Sequence, residues 1–518
     1  MMFTTRPAPS SLRNLLLAIL SGVLLTLSFP PGNFSFIAWF ALVPLLKSIE
    51  DTPPSKAFRL GLYSGLAHYL TLIYWIIVVL ECYGNLNVFV AILALILLSL
   101  YLSLYVALFS CLTAGLKESR FALLLTACFW IALEYLKANL LTGFPWCLLG
   151  YTQYKQLYLI QTADLFGVYG IGFLIVLVNG LIFRIVTKHY RLNSTFLKWQ
   201  LPIPVLFLFG TLIYGHYNLS ENRTDEHAGQ SVNTAIIQAN IDQSVKWDPA
   251  YQVETIKTYQ RLTRAARAFQ PQLIVWPETS LPFFFQDNPD FSPKIFSLAG
   301  ESGAILVFGS PAYKRHQGAI NYYNRAYMMV PDTGQIKYYD KMHLVPFGEY
   351  VPLKKYLPFI NHLVESAGNF AAGEKLTSLK TGDLSLGVLI CFEAIFPELA
   401  RGLTRDGANV LVNITNDAWF GRSSAPYQHI SMSVFRSVEN RRPMIRAANT
   451  GFSAFIGSTG AILSKSTLFA EAVLAGSVTP VSSPLTFYSR FGDLFANSLL
   501  LLSFAYVLTL LWRKRRHP

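Results

Sequence analysis

Charge is scarce in this chain. Asp, Glu, Lys and Arg make up 14% of its 518 residues against 53% hydrophobic side chains, a balance too apolar for a protein wholly dissolved in water. Cysteine is scarcer still, with five residues, at 82, 111, 128, 147 and 391, and no Cys-x-x-Cys spacing. That excludes zinc-ribbon and dithiol redox chemistry, and no metal or other cofactor is expected. Internal repeats and low-complexity linkers are missing too, which excludes solenoid and disordered classes. Acidic residues are short in one part only: residues 218–493 hold 25 basic and 23 acidic side chains, the rest of the chain 17 and 6. The net charge of +13 therefore belongs mainly to the apolar segments, where basic residues mark topology, and nucleic acid is not an expected partner.

What is there is long runs of Leu, Ile, Val and Phe. Eight stretches read as membrane spans: 12–29, 34–46, 60–80, 88–112, 121–136, 157–183, 201–217 and 494–512. The second is shorter than the usual ~17 to 25 residues and is kept because of charge. With eight spans and an inside N-terminus, 15 basic residues fall on inside segments, against Lys137 and Lys155 on the short outer loops, the expected positive-inside bias. The first stretch ends in Ser28-Phe29-Pro30-Pro31 without a small-residue cleavage site, so it reads as a retained span. This predicts a membrane domain of seven spans over 1–217, an extracytoplasmic domain over 218–493, and an eighth span with a basic tail over 494–518, both termini being cytoplasmic. Within the spans His68, Glu134 and Asp164 are ionisable and costly in lipid; Glu134 and Lys137, three apart, are positioned to pair.

Residues 218–493 alternate strand-like with helical patterns. Strand-like runs lie at 234–239, 273–276, 304–309, 325–330, 384–391, 410–415 and 453–456, with helical spacing at 251–269, 395–405 and 427–440. Pro331-Asp332-Thr333-Gly334 reads as a hairpin turn, and Pro443 follows the last helix. Such alternation predicts an α/β layered domain. Three reactive groups sit just past strand-like runs, where open α/β sheets hold ligands. They are Glu278 in Trp276-Pro277-Glu278, Lys341 in Tyr339-Asp340-Lys341, and Cys391 in Leu389-Ile390-Cys391-Phe392-Glu393. Each has a plain reading by itself: a turn carboxylate, a solvated charge, a packed thiol.

Taken together, Glu278, Lys341 and Cys391, each with its flanking residues, resemble the catalytic arrangement of the nitrilase, or carbon–nitrogen hydrolase, superfamily. The apolar spans around that domain, with His343-Leu344-Val345-Pro346-Phe347-Gly348-Glu349-Tyr350 and Asn416-Asp417-Ala418-Trp419-Phe420, resemble the apolipoprotein N-acyltransferase family over essentially the whole chain. The resemblance implies a nitrilase-like α-β-β-α sandwich on a multi-span helical membrane domain, in the bacterial inner membrane with the catalytic domain periplasmic. It implies transfer of an acyl chain from a phospholipid donor to the N-terminal amine of a diacylglyceryl-modified lipoprotein. Cys391 would be nucleophile, Glu278 general base and Lys341 oxyanion cation; Lys341 and a following helix N-terminus would lower the Cys391 pKa.

The resemblance further implies that Glu349, Glu393 and Trp247 are needed, to support the three reactive residues or to bind substrate, and that Phe392, where the family usually has tyrosine, lines the pocket. Read alone, Trp247 is more simply a core side chain. Two apolar segments, Leu281-Pro282-Phe283-Phe284-Phe285 and Tyr356-Leu357-Pro358-Phe359-Ile360, suit lipid handling. Two rival readings share the chain's features: a membrane-anchored amidase with the same triad and water as acceptor, and a transporter or receptor with an inert outer domain.

Overall fold

The computed structural model describes residues 11–32, 34–116, 119, 121–187, 200–225, 230–316, 319–331, 333–350 and 369–516. The hairpin residue Asp332, the segment at 356–360 and several topology-marking basic residues lie outside these.

Twelve strands among the described residues form two sheets. In chain order they are β1 (Val232–Gln238), β2 (Leu273–Val275), β3 (Ile305–His316), β4 (Ala319–Val330), β5 (Gln335–Asp340), β6 (Leu379–Thr381), β7 (Leu384–Ile390), β8 (Val410–Thr415), β9 (Met444–Ala448), β10 (Ala454–Ile456), β11 (Ile462–Lys465) and β12 (Ala472–Val478). One sheet runs β12-β1-β2-β3-β4-β5 and the other β11-β10-β9-β8-β7-β6. Parallel pairs β1/β2/β3 and β7/β8/β9 form the centres, with antiparallel strands on both flanks.

Period-two burial explains the layering. Ile236, Val275, Val307 and Met328 share a core with Leu386, Val388 and Ile390 of the other sheet. Their neighbours Ile237, Ile274, Trp276, Leu306 and Phe308 pack instead with Tyr259, Leu262, Ile295 and Leu298 of helices Gln252–Ala266 and Ser292–Ser302. Successive side chains of one strand thus serve two cores, as the pleat requires. Helices Pro397–Arg405 and Ala425–Asn440 cover the second sheet through Leu403, Val434 and Phe435. The result is the expected helix–sheet–sheet–helix sandwich.

The apolar segments are helical, in less regular form than expected. Val88–Ala114, Ala122–Asn139, Ala163–Val186 and Leu494–Arg513 are long and apolar enough to cross a membrane, and Pro54–Leu72 with Trp75–Tyr83 forms a pair bent by 47°. Ser11–Leu27 is shorter, and the expected span at 34–46 is a 3-10 turn, Ser35–Trp39, then a helix, Val43–Ile49, with Pro44 in its first turn. Proline lacks the N–H and crowds the preceding turn, so one helix does not run through it. The stretch at 157–183 is interrupted as well, at Gly167 (φ 63°, ψ −171°). A Cβ there would lie 2.7 Å from the Tyr488 ring, so close packing and left-handed φ both call for glycine. Phe89, Leu93, Leu97, Leu501 and Phe504 stand exposed on two of the long helices, a surface suited to lipid and not to water.

The membrane helices and the second sheet share one continuous apolar cluster. Polar ties cross the seam: Gln428 donates to the Leu72 carbonyl at 3.1 Å and accepts from Trp75 and Trp146 at 3.1 and 2.7 Å. Asp164 forms an ion pair with Arg441 and accepts from the Tyr214 hydroxyl. Glu134 and Lys137 do not make the expected pair. Glu134 accepts from Leu149 N–H at 2.8 Å, and Lys137 donates to the Tyr69 hydroxyl at 3.3 Å, because each side chain turns to a neighbouring segment instead of along its own helix.

Candidate active site

Glu278 leaves the end of β2 on a tight path. The Trp276 N–H donates to Val307 O at 2.8 Å, the Gly309 N–H to Pro277 O at 3.2 Å, and Thr279 has φ 47°. A Cβ on Gly309 would sit 2.4 Å from Thr279 N, so only glycine lets β3 approach this turn. The buried Glu278 carboxylate accepts from Asn324 Nδ2 at 2.7 Å and from the Asn416 N–H at 2.9 Å. Asn324 is on β4 and Asn416 directly follows β8, so both sheets hold this one side chain.

Lys341 follows β5 and is 1% exposed. Its Nζ lies 2.9 Å from Glu349 Oε1 and 3.6 Å from Glu278 Oε1. Asn324 Nδ2 also donates to Glu349 Oε1 at 2.9 Å, and Glu349 Oε2 accepts from the Val345 N–H at 2.9 Å. Burial by itself would lower the Lys341 ammonium, but Glu349 and Glu278 outweigh it and hold the group above the ordinary lysine range.

Cys391 follows β7, buried, with φ 53°, a conformation that L side chains with a Cβ seldom adopt. Its carbonyl faces His429 Nε2 at 3.2 Å and Asn413 Nδ2 at 3.4 Å. Behind it, Asp417 faces His429 Nδ1 at 3.0 Å and Arg446 at 2.8 Å. Burial works to raise the Asp417 carboxyl, yet the Arg446 guanidinium and the His429 ring hold it well below the usual range. The expected lowering of the thiol pKa is not the net result. Burial pushes the Cys391 thiol up and Glu278 adds to this; Lys341 pulls the other way but is outweighed. The chain after the thiol is a 3-10 turn, Cys391–Ile395, too short for a helix N-terminal field.

Glu393 is fully buried. One oxygen accepts from Ile390 N–H at 2.7 Å; the other accepts from Met342 N–H at 2.6 Å, His343 N–H at 3.1 Å and the Tyr339 hydroxyl at 3.0 Å. Burial pushes its carboxyl up to about 7, with those N–H donors opposing. Phe392 lies near Phe396 (ring centroids 5.2 Å), His343 (6.1 Å) and Trp146 of the membrane part (6.4 Å).

Glu278, Lys341, Glu349, Cys391, Phe392 and Glu393 are thus brought together. Trp247 corrects its plain reading: at 49% exposed it is not a core residue, because its turn points the indole outward while the neighbouring Lys246 is buried. The 281–285 segment corrects the other way, since Leu281, Phe283 and Phe285 fill the helix-side core and are not a lipid surface. Asn324, Lys246, Asn413, His429 and Arg446 were missed. Asn within β4 and β8 was the available signal, a residue type depleted from strands. Among the described residues no cluster of three or more metal-ligating side chains occurs.

Comparison with known proteins follows the same division of the chain. Residues 21–181 match the model of the apolipoprotein N-acyltransferase N-terminal domain and residues 233–483 that of carbon-nitrogen hydrolases. An apolipoprotein N-acyltransferase of Geobacter metallireducens is 46% identical over 93% of this chain and 92% of its own. That of Rickettsia prowazekii is 31% identical over 95% and 96%. A solved carbon-nitrogen hydrolase from Helicobacter pylori is 19% identical over 48% of this chain and 89% of its own, with a TM-score of 0.37. With both family models in this order and a 46% identical relative matched nearly end to end, the chain belongs to the apolipoprotein N-acyltransferase family, membrane acyltransferases on a carbon–nitrogen hydrolase fold.

Proposed function

We propose that the chain moves an acyl group from a phospholipid to the N-terminal α-amine of a diacylglyceryl-modified lipoprotein, through a thioester on Cys391. The observation that carries this reading is one buried cluster in which Lys341 Nζ lies 3.6 Å from Glu278 and Glu393 binds the main chain next to both Lys341 and Cys391, beside an aromatic seam with the membrane helices. In the first half-reaction Glu278 takes the thiol proton as sulfur attacks the ester carbonyl. The C–O bond then breaks, and Glu278 returns the proton to the leaving alcohol. In the second, the amine attacks the thioester, its proton passes through Glu278 to the departing sulfur, and the amide remains. Lys341 balances the oxyanion of each tetrahedral intermediate, and Glu349 and Glu393 hold that lysine and its loop. Because the resting thiol is pushed toward its neutral form, the base must act in concert with attack.

The membrane part spans 1–217 and 494–518 in this reading and the catalytic part 218–493, with the latter periplasmic and both termini cytoplasmic. Two lipid-tethered substrates explain why an acyl-transfer site sits against membrane helices. The test is mass spectrometry of the purified protein incubated with phospholipid: an acyl adduct is expected on Cys391. Cys391→Ala should insert normally but form no adduct and transfer nothing. Substantial N-acylation by that variant overturns the mechanism.

A further inference from the structure

The site holds a second buried lysine. Lys246 lies in the turn after β1, is 2% exposed, and donates through Nζ to the main-chain carbonyl of Glu278 at 3.3 Å. The turn is fixed on both sides. Asp242 accepts from Ser244 N–H at 2.8 Å, and Gln243 accepts from Asn416 Nδ2 at 2.7 Å, the same residue whose N–H binds the Glu278 carboxylate.

The two lysines differ in their counter-charges. Lys341 is committed to Glu349 and Glu278, whereas the described residues give Lys246 a carbonyl and no ion pair. Holding an ammonium away from water costs free energy unless charge nearby compensates it. Burial dominates and leaves the amine lowered to about 8; Glu278 acts against it at rest, and Cys391 adds to Glu278 only once it is a thiolate. When the thiol proton moves to Glu278, negative charge moves from the carboxylate to sulfur, and a cation that sees both groups can follow it.

We propose that Lys246 is a positioning residue for the nucleophile: it fixes the Glu278 backbone and supplies the uncommitted positive charge that stabilises the Cys391 thiolate during proton transfer. This rests on Cys391 being the nucleophile. The charged groups that act on the two side chains are Glu278, on both, and Lys341 and Asp417, on Cys391, so loss of the Lys246 charge leaves Lys341 as the remaining cation acting on sulfur.

The test is alkylation of Cys391 by iodoacetamide in the intact, detergent-solubilised protein from pH 6 to 10, read by peptide mapping so that the other four cysteines do not interfere. Lys246→Gln keeps a donor for the carbonyl and loses the charge; it should alkylate about tenfold more slowly near neutral pH, with its profile displaced upward by about one pH unit. Near neutral pH, below the flattening, Lys246→Arg should stay close to wild type. In wild type the rise of rate with pH should flatten near 8, where Lys246 gives up its proton, and Lys246→Arg should lack that flattening. Lys246→Gln alkylating like wild type, or Lys246→Arg failing as badly as Lys246→Gln, overturns the proposal. So do superimposable wild-type and Lys246→Arg profiles, a comparison that stands even where Lys246→Gln does not fold. Alkylation needs no lipid substrate, so these outcomes are separate from acyl transfer, whose own test is Cys391→Ala.

Discussion

Glu393 accepts from the Met342 N–H at 2.6 Å, so the carboxylate two residues after the thiol holds the residue directly after the lysine. Through its other oxygen it holds Ile390, directly before the thiol. The separation of Lys341 from Cys391 is thus set by one buried side chain bound to backbone on both sides, which rotamer changes in the site do not disturb.

Glu393→Gln should therefore be costly, because an amide nitrogen must face backbone N–H donors on one side. An orphaned buried donor costs about 1–3 kcal/mol, visible as a lower unfolding temperature. The pH dependence has a definite sign. Burial raises the folded-state Glu393 carboxyl to about 7 from 4.5, so its contribution to stability is fully present below 4.5 and is lost as pH rises through 7. The gap between wild type and variant should narrow over that window and level off above it; parallel unfolding curves would contradict this.

Glu278→Gln and Lys341→Met should respond differently to pH. Removing the base should slow single-turnover thioester formation by about 10²–10⁴-fold. Raising pH should partly restore it, because the thiol then ionises without help and no longer faces the Glu278 charge. Lys341→Met removes a cation that hydroxide does not replace. Equal rescue of both, or of neither, rejects the separate roles.

Trp247→Ala distinguishes an exposed contact from a packing residue. With the indole about half exposed, stability should change within about 0.5 kcal/mol. Acylation of a lipopeptide should fall through a higher KM if the ring meets substrate. A large loss of stability with unchanged KM would return Trp247 to the core.

Topology is open to a direct measurement. A reporter fused after Pro518 should score as cytoplasmic and one inserted near Gly229 as extracytoplasmic, following the basic bias. The reverse result would put Cys391 on the wrong side for lipoprotein maturation.

Much of the fold was legible because it is periodic. Short, continuous apolar runs bounded by turn residues located β1, β2, β7 and β8, whose central positions are buried by neighbours on both sides. The short β6 and the half-exposed β11 and β12 escaped because edge strands carry little hydrophobic pattern. The helix Ser292–Ser302 was also missed.

Local sequence determined that part of the chain is apolar enough for lipid, that the rest is an α/β layered domain, and which three reactive side chains end its strands. Those properties follow from composition and from periods of two and 3.6 residues, which need no partner segment to be read. Tertiary structure alone decided that Asn324 joins Glu278 to Glu349, that Glu393 ties the lysine loop to the thiol turn, that Lys246 is buried while Trp247 is not, and that the thiol is raised. Each of these depends on how segments distant in the chain pack together, and the last on burial of the thiol outweighing the pull of Lys341.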